Sequence, residues 1–392
     1  MKITGVKTTL YLHKLSRRMG DVNSPSGRVQ GTNCVVELET DEGLTGIGLG
    51  GGGVRPQIHA MVDGLLNGQD PRRVYGLWQR MVGKHFKGGH DGLINDAISV
   101  LDMALWDLKA RIAGEPLWKS LGGSRGKALC YASGIELPLS DQQVHDWYSR
   151  MAAEYGFKGG KLKVGLDQEA DLRRLGLMDK ALRQATERPM LMVDANEYWS
   201  PKQAIRKVRQ MEEQFDLAWV EEPARRWDYE GLRLVSQQVR AAVATCENLR
   251  HISEVYPLVH HQAVDILNIS AGQTGFTGCR QIAHLAHAYE LPVSMMNCQA
   301  NYMAHLAAAL PNHLSMEVVD PGREHCLRFS HHLEDGFIVL GNEPGLGIEV
   351  DEAKLKALQA NPPARKGNFP FPRRQGAGLY VKAPEPGEVP WR

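Results

Sequence analysis

From about residue 127 onward the chain repeats one pattern: a short apolar run, a stretch with helical spacing, then another apolar run. Eight runs read as strands, at residues 128–132, 160–164, 190–193, 217–220, 242–245, 264–269, 291–295 and 314–318. Segments 171–185, 201–214, 229–239 and 277–288 carry helical periodicity between them. Strands that alternate with helices form a parallel sheet, because the helix supplies the crossover. Eight of them favour closure into a barrel over an open doubly wound sheet, and barrel side chains that do chemistry gather at the C-terminal strand ends. The expected barrel domain spans 126–325.

The preceding residues follow another rule. Alternating stretches at 3–12, 32–40 and 43–48 read as strands, and 56–66, 74–82 and 93–112 as helices. In the last of these Ile94, Ile98, Leu101, Leu105 and Leu108 make one apolar face, with Gly114 and Pro116 as stop signals. This is an α+β domain over 1–125. The glycine run 50–53 reads as a flexible loop; it has neither the Lys-Ser/Thr nor the placement of a phosphate cradle. After Val318 the barrel pattern ends. Residues 326–392 read as a segment returning to the first domain, with an extended tail rich in Pro, Arg, Lys and Gly.

Composition narrows the function classes. Lys and Arg number 46 and Asp and Glu 45, so a formal charge of +1 gives no field for nucleic acid or an anionic membrane. No apolar run reaches the roughly 18 residues of a membrane span, and the N-terminus has no signal-peptide core, so a cytoplasmic protein is expected. The six cysteines form no C-x-x-C pair and are expected to be reduced and packed.

Three expected strands run into acids: MLMVDAN at Asp194, AWVEEP at Glu221 and Glu222, and AVATCEN at Glu247. The intervals of 27 (221 − 194) and 26 (247 − 221) residues are each one strand–helix unit, which brings the acids to one barrel mouth. Three carboxylates there repel one another unless a cation neutralises them. An all-oxygen donor set selects Mg²⁺ or Mn²⁺ over zinc.

One unit earlier stands Gly160-Lys161-Leu162-Lys163-Val164. Residues two apart on a strand share a face, so both ammonium groups point into the barrel or its mouth. Their mutual repulsion is expected to depress the lysine pKa, which makes a general base. A base beside a cation held by carboxylates suits removal of a proton next to a substrate carboxylate.

At these residues the sequence resembles the enolase superfamily, and within it the mandelate racemase-like subgroup. The likeness runs through DEGLTGIG, DMALWDLKARIAGEPLWKSLGG, KLK, VDAN, VEEP with the following DYEGL, CEN and GNEPGLGIE, in that order. The resemblance implies a capping domain over a modified (β/α)₇β TIM-type barrel and a homo-oligomer. It implies one Mg²⁺ per subunit on Asp194, Glu221 and Glu247, and a base at Lys163 with Lys161 as its partner. It also implies Asn196 at the metal's edge and Glu317 facing a substrate oxygen.

The subgroup carries a His at the end of the seventh strand, oriented by an Asp at the end of the sixth. The Asp is read as Asp265. At the His position stands Met296 or Asn297, depending on the direction of counting, and no Lys occurs between Lys207 and Lys354. His305 is read as structural and Cys246 as packing. One base and no opposite base disfavours racemisation and suits β-elimination. The expected function is therefore a Mg²⁺-dependent hydro-lyase acting on a sugar acid, an aldonate or aldarate, and giving a 2-keto-3-deoxy acid. Asn297 would bind a substrate hydroxyl. Arg17, Arg18, Asn23, Ser24 and Ser26 in one loop, and Lys84, His85, Lys87 and His90 in another, are candidates for a distal carboxylate. A racemase or epimerase of a hydroxy acid, and a barrel that binds sugar acids without turnover, are the alternatives.

Overall fold

The computed structural model describes residues 1–89, 91–320 and 325–359. The cap begins with an antiparallel sheet of β1 (Ile3–Met19), β2 (Arg28–Thr40) and β3 (Thr45–Gly51). Helices α1 (Arg55–Met61), α2 (Val74–His85), α3 (Gly92–Ala113) and α4 (Leu117–Ser120) follow. The run 50–53 is not a loose loop. Gly50 and Gly51 pair in β3 with Cys34 and Asn33, and Gly52 opens a single helical turn. Gly46, Gly48 and Gly50 lie against α3: a Cβ on Gly48 would sit 2.6 Å from the Val100 carbonyl oxygen. Glycine at alternate positions lets the helix lie directly on the sheet.

All eight expected barrel strands form: β4 (Lys127–Ser133), β5 (Gly159–Lys163), β6 (Met190–Asp194), β7 (Leu217–Glu221), β8 (Ala242–Thr245), β9 (Ile266–Ile269), β10 (Val293–Met295) and β11 (His313–Val318). Neighbours pair in parallel and β11 pairs with β4, so the sheet closes. The seven connections hold α5 (Asp141–Tyr155), α6 (Gln168–Leu182), α7 (Pro201–Glu212), α8 (Tyr229–Gln238), α9 (Ile252–His260), α10 (Gly275–Ala288) and α11 (Ala304–Ala307), which is the (β/α)₇β arrangement. Local signals fix the helix ends. Ser140 with Gln143, and Ser200 with Gln203, form capping boxes, and left-handed Gly114 and Gly156 end α3 and α5. Inside the barrel Tyr131, Met192, Trp219, Ala244 and Ile266 pack as a layer, with the Tyr131 and Trp219 rings edge-on at 5.3 Å.

Beyond the barrel come β12 (Leu327–Phe329), β13 (His332–Glu334), β14 (Phe337–Val339), β15 (Ile348–Val350) and α12 (Glu352–Leu358). β14 adds antiparallel to β4, and α12 reaches the cap, where Glu352 meets Lys7 of β1 at 3.1 Å. The tail expected after residue 359 lies outside the described residues. The cap docks through α3 on α10: Asp102 accepts from Thr277 N at 2.9 Å and Oγ1 at 2.7 Å, and Trp106 Nε1 donates to the same hydroxyl. All six cysteines are buried, and among the described residues no helix is long and apolar enough to cross a membrane.

Candidate active site

Strand pairing sets the site. The β5–β6 register pairs Lys163 with Asp194, and the β6–β7 register pairs Asp194 with Glu221. Lys163 Nζ lies 2.5 Å from Asp194 Oδ2; Lys161 Nζ lies 2.5 Å from Glu221 Oε1, 3.1 Å from Glu317 Oε1 and 3.5 Å from Asp194 Oδ2. Trp219 Nε1 donates to Glu221 Oε2 at 3.3 Å, and Tyr131 presents its ring 5.7 Å from Lys161 Nζ. Lys161 is 1% exposed and Lys163 6%, so these charges answer mainly to one another.

Lys161 does work to lower Lys163, as expected, but the expected net depression of the lysine pKa is reversed. Burial is the largest single effect and works to lower both pKa values, but the surrounding acids together outweigh it, Asp194 foremost at Lys163 and Glu221 then Glu317 at Lys161, so both are raised. The acids balance this charge: against the effect of burial, Lys163 and Lys161 draw Asp194 down to about 2, and Lys161 lowers Glu317. Glu221, Glu222 and Glu247 are raised by burial, and the neighbouring carboxylates add to it.

Glu247 is less regular than its spacing suggested. The register partner of Glu221 is Ala244, and Glu247 stands three residues beyond it, past the end of β8 and after Cys246 at φ 116°. Gln273 Nε2 holds the Cys246 carbonyl at 2.8 Å, and Ser270 Oγ holds that of Glu247 at 2.8 Å. Among the described residues no three acids, histidines or cysteines are drawn into a ready-made metal shell; the lysine ammonium groups supply the counter-charge. The donor set nevertheless fits a hard divalent cation. It is all oxygen, the carboxylates of Glu221 and Glu247 are under mutual repulsion, and Asn196 Oδ1 is buried with no hydrogen-bond partner among the described residues. Asn196 N donates to Asp194 Oδ1 at 2.8 Å.

The opposite wall corrects the reading of the sixth strand. Asp265 precedes β9, accepts from Val243 N at 2.7 Å and from Ser236 Oγ, and so sits at the N-terminal end of the barrel, away from the site. The residue that follows the C-terminal end of β9 is Ser270. After β10, Met296 is buried, and Asn297 lines the main cavity with its N–H on Glu317 Oε2 at 3.1 Å. His305 is structural, as expected: it accepts from Trp118 N at 3.2 Å, meets the Leu346 carbonyl at 3.1 Å, and burial pushes it down to about 3.

A cavity of about 730 Å³ separates the cap from this barrel mouth. Asp21, Ser24, Arg28, Asn33 and Asp96 line it from the cap, and Ser270, Asn297, Gln299 and Tyr302 from the barrel. The lysines are buried beneath it and do not form its wall. Several cap candidates have other tasks. Arg17 stacks over Trp147 at 4.4 Å and donates to the carbonyls of Gly134 and Val319, tying the first barrel strand to the last. Arg18 donates to the Ser26 carbonyl, and Asn23 Nδ2 to that of Asn196 at 2.9 Å. Lys84, His85 and Lys87 do not line the cavity, and His90 lies outside the described residues. Two buried residues went unread in the sequence, Glu136 and Tyr148, which hold the main chain of Lys163 and Lys161. The one available signal was an acid in the apolar run SGIELPL.

Comparison with known proteins agrees with this geometry. Residues 143–354 match the family model described as enolase C-terminal domain-like, and 16–122 match the mandelate racemase / muconate lactonizing enzyme N-terminal domain. The chain is 32% identical to the L-talarate/galactarate dehydratase of Salmonella typhimurium, covering 91% of each chain. It is 30% identical to the 3,6-anhydro-alpha-L-galactonate cycloisomerase of Streptomyces coelicolor, over 91% of this chain and 99% of that one. The crystal structure of L-talarate dehydratase from Polaromonas sp. JS666, complexed with Mg and L-glucarate, superposes with a TM-score of 0.82 at 30% identity, covering 92% of this chain and 98% of that chain.

Proposed function

This chain belongs to the enolase superfamily, in its mandelate racemase-like branch, and from that premise we propose that it is a Mg²⁺-dependent sugar-acid dehydratase. The observation that carries the reading is one-sidedness: the lysines stand on β5, while Ser270, Met296 and Asn297 follow β9 and β10, where a second base would be needed. Lys163, in its neutral form, takes the C2 proton of an aldonate or aldarate. The C–H electron pair moves into the C1–C2 bond and then expels the C3 hydroxyl, which leaves as water with the proton that Lys163 took from C2. The resulting enol tautomerises to a 2-keto-3-deoxy acid. Asp194, Glu221 and Glu247 would hold Mg²⁺, which when bound would supply positive charge beside the substrate carboxylate; with their charge so engaged, these acids would hold Lys163 protonated less strongly. Lys161 faces the same acids and keeps the developing negative charge paired; Glu317, Asn196 and Asn297 orient substrate oxygens. A homo-oligomer acting in the cytoplasm completes the proposal.

A cycloisomerase is the second reading, favoured by the Streptomyces coelicolor relative. It uses the same proton abstraction with a ring oxygen as the leaving group. Incubating the protein and Mg²⁺ with a library of aldonic, aldaric and anhydro acids, and measuring 2-keto acid formation, separates the two. Dehydration of an open-chain acid supports the proposal; ring opening of an anhydro acid alone replaces it with the second reading.

A further inference from the structure

The ladder between β4 and β5 stops early. It pairs Ala132 with Gly160 and Ser133 with Lys161, and β4 ends at Ser133. Val164 N–H turns the other way, to the Asp194 carbonyl, so the N–H of Lys163 faces the side where β4 has run out. A side chain replaces the missing strand: Glu136 Oε1 accepts from Lys163 N at 2.6 Å. One step back, the Tyr148 hydroxyl from α5 donates to the Lys161 carbonyl at 2.6 Å and lies 3.3 Å from Glu136 Oε2. Both side chains are fully buried. A carboxylate that accepts a backbone N–H inside a protein makes one of the stronger hydrogen bonds available, and its loss leaves a buried donor orphaned.

The segment that carries Glu136 is itself paired to the cap. Gly20 N donates to the Ile135 carbonyl at 2.8 Å, Leu137 N to the Gly20 carbonyl at 3.3 Å, and Arg17 Nε to the Gly134 carbonyl at 3.0 Å. The cap loop 20–27 that begins at Gly20 lines the cavity with Asp21 and Ser24. Its turn is held by Asp21 Oδ1, which accepts from Asn23 N and Ser24 N. A continuous set of hydrogen bonds therefore runs from the cavity's cap wall to the main chain of the buried lysine.

We propose that Glu136 is a positioning residue for Lys163, and that through it the seating of cap loop 20–27 is transmitted to that lysine. The proposal rests on reading Lys163 as the base. A displacement of about 1 Å in a reacting group can cost on the order of 100-fold in rate.

The test pairs amide hydrogen exchange with kinetics, using the full chain with Mg²⁺. In Glu136→Ala, segment 159–165 should exchange at least about tenfold faster and kcat should fall by on the order of 100-fold with KM within about threefold. Glu136→Gln keeps an acceptor for Lys163 N and should recover most of both. A merely structural role would lower the melting temperature of both variants and leave kcat per folded molecule unchanged. Asp21→Ala, which loosens the loop, should also speed exchange in 159–165, but add nothing in the Glu136→Ala background. Unchanged exchange in Glu136→Ala, or additive effects in the double variant, would overturn the clamp or its link to the cap. Lys163→Ala separates the two levels. If it abolishes C2-proton abstraction while Glu136→Ala leaves kcat intact, only the positioning proposal fails; if it leaves abstraction intact, the reading of Lys163 as base fails with it.

Discussion

Lys163 Nζ and Asp194 Oδ2 lie 2.5 Å apart, and the two residues are also partners in the β5–β6 register. Backbone pairing thus delivers the ammonium to the carboxylate, and the same pairing carries Asp194 to Glu221. With Asp194 drawn down to about 2, its charge persists at neutral pH. Asp194→Asn and Glu221→Gln should each weaken Mg²⁺ binding by at least about 10–100-fold, the range found for loss of even an indirect partner of a metal. Titration calorimetry with MgCl₂ checks this, and binding unaltered in both variants would contradict the assigned ligands.

Removing the base should separate chemistry from folding. Lys163→Ala should slow C2-proton abstraction by on the order of 10²–10⁴. Lys161→Ala should also slow it, by leaving Glu221 and Glu317 without their shared cation at 2.5 and 3.1 Å. Exchange of the C2 proton with D₂O, followed by NMR, reads the step directly. Near wild-type exchange in Lys163→Ala would reassign the base.

Stability should depend on pH through the cap–barrel contact. Burial raises Asp102 to about 7, against hydrogen bonds from Thr277 that favour its charged form. Its unfolded value is about 3.9. Between the two the folded chain holds the proton more tightly than the unfolded chain, so this contribution to stability is present at low pH and is lost as pH rises from about 4 to about 7. Asp171, raised to about 7 by burial, acts in the same sense. Asp102→Asn should flatten part of the slope in denaturant midpoint against pH; a slope unchanged over that window would exclude Asp102 as its source.

Close packing of β3 on α3 gives a further check. Gly48→Ala places a methyl 2.6 Å from the Val100 carbonyl oxygen, which only a shift of the helix can relieve. A loss of about 1–3 kcal/mol is expected. Chemical denaturation measures it, and a change under about 0.5 kcal/mol would mean that α3 is not held as closely as the contact requires.

The barrel was legible because apolar runs ending in Asp194 and Glu221 state both a strand and its C-terminal end. Asp265 misled for the same reason in reverse: the run 264–269 shows a strand but not which end its acid occupies, and the strand proper begins at Ile266. The raised lysine pKa values also escaped, since KLK displays its own charges while the acids that govern them arrive from β6, β7 and β11. What Glu136 and Arg17 hold could not be read from the chain. Their partners are backbone atoms 27 and 117 residues away, and no spacing in the chain encodes such contacts.

The proposed one-sided chemistry should show in the fate of the C2 proton. Ser270 follows β9 and Asn297 follows β10, so this side of the cavity offers a hydroxyl and an amide. Neither accepts a proton from carbon at a useful rate near neutral pH. Asp265, committed to Val243 N and Ser236 at the far end of the barrel, does not stand behind them. Substrate should therefore react only when its C2 proton faces Lys163. In D₂O, recovered substrate should keep its C2 configuration, and any deuterium it gains should enter from that face alone. Chiral analysis of recovered acid, coupled with mass spectrometry, decides the point. Interconversion of the C2 epimers with deuterium in both would demand a base on the Ser270–Asn297 wall and would turn the reading from dehydratase to epimerase.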